Sequence, residues 1–211
     1  NVDGDSGNVA VGSNSGNAVT TGINNSLLGF RSGALITTGT QNIAIGSNAL
    51  SKNTTVSNNV AIGYNSMLDI VEGDKNVAIG SFSMAMNQTG NNAKNSKENV
   101  FIGYNSGGGS WTAVESNYNT SVGAWSMDAS LDGALNNTAL GYKALTALTT
   151  GDSNTVAGYQ AGLELTTGTQ NVFIGNKAGE SSTDTANTIV IGNEAGRDGN
   201  LGDYSTIMGV Y

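Results

Sequence analysis

The chain has 211 residues, with 31 Gly, no Pro, no Cys, no His, 11% charged residues and a formal net charge of −8. Lack of Cys removes disulfides and thiolate metal sites, and lack of His removes the commonest general base and metal ligand. Eight scattered Lys and Arg form no basic stripe for nucleic acid, and no apolar run is long enough to cross a membrane as a helix.

With 37% hydrophobic residues and little charge, the composition predicts an ordered chain. At the start, Asp3 and Asp5 in "DGD" match part of a calcium loop, but the other ligands are missing. A solvated terminal turn is expected there, and no metal or cofactor. The opening Asn1 suggests a piece of a longer fibre protein.

From residue 8 onward one phrase recurs. Its glycine falls at Gly12, Gly29, Gly46, Gly63, Gly80, Gly103, Gly123, Gly141, Gly158, Gly175, Gly192 and Gly209, mostly 17 residues apart. The residue before the glycine is always apolar, as in Ile45, Ile62, Ile79, Ile102 and Ile174. Three before it, β-branched residues dominate, and between the two lies a mostly small column of Ala, enlarged to Phe101 and Phe173. Period-two alternation closed by glycine predicts a short strand. Seventeen residues are too few for helical or leucine-rich repeats. Each unit therefore reads as one coil of a β-solenoid, with two short strands and two turns. "TTGTQN" (37–42 and 166–171) and "TTGDSN" (149–154) supply the second corner. About twelve coils at about 4.8 Å each predict a rod some 55–60 Å long. Asn42, Asn59, Asn76, Asn99, Asn119, Asn137, Asn154 and Asn171 would then stack as an amide ladder.

Midway the period breaks at three consecutive units, with insertions at 85–98, 107–118 and 128–136. Stacking places these segments side by side as one lateral bulge. Lys94, Lys97, Trp111 and Tyr118 lie in it and Trp125 lies nearby, an aromatic and basic set suited to a sugar face or a protein receptor. The plainer expectation for Trp111 is that it plugs a gap between protomers. An aromatic column directly after the glycine (Phe30, Tyr64, Tyr104, Tyr142, Tyr159) reads as packing between coils. No carboxylate pair or nucleophile with a base recurs, which argues against an enzyme.

A 17-residue coil is thin, and both faces of its strand are apolar, with Ile and Val on one and Ala and Phe on the other. The second face is therefore expected to be covered by another copy. "NVAIGYNSM" (59–67), "NTALGYKAL" (137–145) and "NVFIGNKAG" (171–179) resemble the head repeats of YadA-like trimeric autotransporter adhesins, and still more the longer-period repeats of bacteriophage and bacterial fibres. The resemblance spans about residues 8–209. It implies an all-β, left-handed parallel β-roll in a homotrimer. The whole chain, 1–211, would be one head domain at the cell surface or on a virion fibre, attaching to a target cell. The adhesin heads repeat every 14 or so residues, and no neck motif, coiled-coil stalk or membrane anchor is visible among these 211 residues. A structural spacer presenting a separate tip domain is the alternative. The pairs Thr37–Thr38, Thr149–Thr150 and Thr166–Thr167 add a minor third, an ice-binding solenoid.

Overall fold

The computed structural model of the chain describes residues 6–69, 73–85, 95–111 and 114–210. Twelve strands of three residues each follow one another: β1 (Val9–Val11), β2 (Ser26–Leu28), β3 (Ile43–Ile45), β4 (Val60–Ile62), β5 (Val77–Ile79), β6 (Val100–Ile102), β7 (Thr120–Val122), β8 (Thr138–Leu140), β9 (Thr155–Ala157), β10 (Val172–Ile174), β11 (Ile189–Ile191) and β12 (Thr206–Met208). They pair in chain order into one parallel sheet, every repeat position on its counterpart, as with Ala44 on Ala61 and Ile45 on Ile62. The chain is a β-solenoid, as its periodicity predicts.

The repeat glycine is required twice over. Gly46 has φ 129°, and an added Cβ would stand 2.5 Å from the carbonyl oxygen of Gly63 on the next coil. Only glycine accepts both the dihedral and the close approach.

One expectation fails here. Among the described residues each coil holds one strand, not two. Left-handed residues recur after and before the strand, as at Asn48 (φ 56°), Leu50 (φ 54°) and Asn58 (φ 60°), and these break any second extended run. The turns still bond coil to coil, for example Gly33 N–H to the Ala49 carbonyl (2.9 Å) and Leu145 N–H to the Ala161 carbonyl (3.1 Å).

The core lies inside the coil. The middle residue of the strand points inward, and Ala44, Ala61, Ala78, Phe101, Ala139, Val156, Phe173 and Val190 are fully buried. Two further columns close the interior: Leu50, Met67, Met84, Met127 and Leu145 four residues after the glycine, and Ile36, Trp111, Leu131, Leu148 and Leu165 on the far side. Volumes compensate within a coil. Ala44, Ala61, Ala78 and Ala139 face Leu50, Met67, Met84 and Leu145, whereas Phe101 and Phe173 face Gly107 and Gly179. This is interior packing at near-constant volume.

The reading of the two faces is therefore corrected. The Ala and Phe face needs no partner, because its own coil covers it. The Ile and Val face is the one turned outward, with Ile45 37% and Leu140 54% exposed.

Beside the strands the amide ladder is present and longer than expected, beginning at Asn8 and Asn25. Asn42 Nδ2 donates to Asn25 Oδ1 (3.0 Å) and to the Val56 carbonyl (2.7 Å), and Asn42 Oδ1 accepts from the Asn59 backbone N–H (3.1 Å). A buried amide is affordable only when its partners are supplied in this way.

Candidate functional site

The insertions emerge at one corner. Before it, register holds through the residue four after the glycine: Met84 N–H donates to the Ser106 carbonyl and Gly107 N–H to the Ser126 carbonyl. Register resumes at Ser96 and Ser116, where Ser116 N–H donates to Ser96 Oγ (3.0 Å) and Gly133 N–H to Ser116 Oγ (3.1 Å). The extra residues lie between these points on neighbouring coils.

Two of the five residues singled out from the sequence meet just after register resumes, in the regular coil-to-coil ladder that also joins Asn58 to Thr40 and Asn136 to Asn117. Lys97 is exposed and its N–H donates to Asn117 Oδ1 (2.7 Å); its carbonyl accepts from the N–H of Tyr118 (3.3 Å), itself 49% exposed. Gly73, Asp74, Asn95, Lys97 and Glu115 line a cleft of about 200 Å³. That is below the roughly 300–1,000 Å³ of a small-molecule pocket, so the corner suits surface contact rather than enclosure. Asp74 and Glu115 were not recognised in the sequence, because Asp74 belongs to an uninterrupted unit and only the stacking of coils brings it beside Lys97 and Glu115. Lys75 and Glu98 pair at its edge (3.0 Å), and the carboxylate raises the lysine pKa.

The other three residues do not join it. Trp111 is 1% exposed inside the roll, edge-on to Phe101 (5.4 Å between centroids), with Nε1 donating to the Gly107 carbonyl (3.1 Å). It cannot touch a ligand, and the gap it fills lies within one chain, not between protomers. It occupies the core column held elsewhere by Ile36, Leu148 and Leu165. Trp125 stands at a different corner, two residues after its glycine, packed on Tyr104 (5.2 Å). Lys94 lies outside the described residues, as do Asp3 and Asp5.

The Trp125 corner carries a seam of rings. Tyr64, Phe82, Tyr104 and Trp125 follow one another on successive coils, edge to face, with centroids 5.3, 5.9 and 5.2 Å apart. Tyr142 and Tyr159 continue on the next two coils as a parallel stack at 5.4 Å, with the Lys143 ammonium over Tyr142. Packing between coils was expected of the tyrosines; Phe82 and Trp125 belong to the same seam but sit one position later, which hid them from a column-by-column reading. Beneath it, burial raises the Asp128 pKa, against the opposing effect of Asn105 and Lys143.

The threonine pairs have another use. The hydroxyls of Thr20, Thr37, Thr149 and Thr166 donate to carbonyls of the next coil. Among the described residues, no three His, Cys, Asp or Glu stand close enough to hold a metal ion. No known protein family, curated protein or solved structure is matched by the chain.

Proposed function

We propose that this chain is a non-enzymatic adhesive segment of an extracellular fibre, a homotrimeric rod that contacts a receptor on a target cell surface. The observation that carries the reading is the concentration of all period breaks at one corner of a regular scaffold. Insertions into a solenoid emerge at loops, and loops held by a rigid scaffold carry binding residues. Beside the insertions, the exposed Lys97 and Tyr118 on the regular ladder, with Asp74 and Glu115, offer charge, hydrogen bonds and a ring to a surface glycan or protein.

The test is adhesion of the full chain to target cells before and after Lys97→Ala with Tyr118→Ala. Both side chains are exposed, so the melting temperature is expected to stay within about 2 °C while adhesion falls severalfold. Unchanged adhesion favours the second reading, a spacer rod that presents another domain. That reading gains from the position of Trp111, which turns one insertion inward to fill the core. Deleting 107–118 would remove that core residue and could not tell the two readings apart.

A further inference from the structure

We propose that the aromatic seam is a second, lateral contact surface, which binds an extended, uncharged polysaccharide laid along the rod. It deepens the adhesive reading above and rests on it. Six consecutive coils, those of β4 to β9, each present one ring at this corner: Tyr64, Phe82, Tyr104, Trp125, Tyr142 and Tyr159. The four tyrosines are exposed, and Phe82 and Trp125 are half-buried.

The neighbouring side chains make the seam more than packing. Where the ring directly follows the glycine, the next residue is Asn65, Asn105, Lys143 or Gln160; where the ring comes one later, the intervening residue is small, Ser81 or Ala124. Rings therefore alternate with amide or ammonium groups, the pairing that takes the C–H face of a sugar and its hydroxyls together. Tyr64 and Phe82 are inclined at 84°, and Phe82 and Tyr104 at 77°. Two perpendicular rings cannot both face along the stack, so at least alternate rings turn a face off its line.

The shape selects a polymer. The seam is open, has one ring per coil, and runs about 24 Å over five coil spacings. A single sugar would meet one or two rings; an extended chain spans the row and meets the faces that the inclined rings from Tyr64 to Trp125 turn outward, and the edges of the stacked Tyr142 and Tyr159. The charge disfavours a polyanion, because a net charge of −8 repels it, and the Lys143 ammonium over Tyr142 disfavours a polycation at the seam itself.

The two tryptophans provide the probe, since Trp111 is buried and Trp125 is in the seam. The full chain is titrated with soluble β-1,4-linked glucose and N-acetylglucosamine oligosaccharides, from dimer to hexamer, by fluorescence and calorimetry. Expected are a Trp125 emission change and an affinity that climbs with chain length. Tyr104→Ala should weaken hexamer binding about tenfold, equivalent to about 1.4 kcal/mol, while Tyr104→Phe retains it. The proposal is overturned by affinity independent of length, by Tyr104→Ala binding as the parent does with an unchanged melting curve, or by Trp125 emission that responds to self-association and then ignores every oligosaccharide. Absence of oligosaccharide binding with cell adhesion intact overturns the seam alone; absence of cell adhesion in the parent chain overturns the adhesive reading itself.

Discussion

Asn76 illustrates how much one residue carries in a stacked structure. Its Nδ2 donates to Asn59 Oδ1 and the Ser96 carbonyl, and its Oδ1 accepts from both the backbone N–H and Nδ2 of Asn99. Asn76→Ala removes all four bonds and strands buried partners on both neighbouring coils. At about 1–3 kcal/mol for each orphaned group, a loss of about 2–4 kcal/mol is expected in denaturant unfolding. Asp128 gives the opposite lesson. Its pKa is raised by burial, so the folded state holds the proton more tightly than the unfolded chain. Its destabilising effect is absent below the ordinary carboxylate range and complete once pH has risen past the raised folded value. Asp128→Asn should therefore raise the melting temperature at neutral pH, with the gain vanishing at acid pH.

A single coil behaves as a unit of fixed volume. Phe101 is matched by Gly107, whose added Cβ would lie 2.5 Å from the Phe101 ring, whereas Ala78 is matched by Met84. Phe101→Ala alone should cost about 3–5 kcal/mol through the cavity it leaves. Gly107→Met alone should also destabilise, by overpacking. Together they rebuild the Ala78–Met84 pair, and Met84 already adopts the left-handed conformation required there (φ 50°). A double-mutant cycle should show strong favourable coupling, with most of the lost stability recovered. Additive losses would mean that coils do not compensate internally. In the coils that carry Ala or Phe on the strand, the strand residue and its partner across the turn thus vary together.

Over the whole molecule, the outward face of the strands is the unfinished surface. Ile43, Ile45, Leu140, Ile174 and Ile189 on it are exposed, while the interior is already filled. A strip three residues wide and about eleven coil spacings long covers about 500–600 Å², apolar except where Ser26, Thr120, Thr138, Thr155 and Thr206 interrupt it. That is the upper range for an exposed patch on a monomer. A partner that fits must repeat every coil, and a second copy of this chain does so by construction. If the proposed trimer forms through this face, Ile45→Lys with Ile62→Lys and Ile79→Lys should leave the far-ultraviolet circular dichroism intact and reduce the native mass to that of a single chain. A parent chain that is monomeric in the same measurement would remove the trimer from the proposed function.

The repeat by itself determined the solenoid. A glycine every 17 residues, a β-branched flank and a buried asparagine are local requirements, repeated until chance is excluded, so parallel coils in register were legible in the letters. The inward and outward sides of the strand were legible only as a difference. Ala44 and Ile45 are both apolar, and only closure of the coil decided that the smaller one faces the core. The site was less legible still. Lys97 and Tyr118 meet through the regular ladder beside the insertions, yet Trp111, equally prominent in the sequence, turned inward to hold the far-side core position that Leu148 and Leu165 hold elsewhere. An insertion's length says where a loop leaves the scaffold; only the packing of the coil below it decides which of its side chains the core takes back.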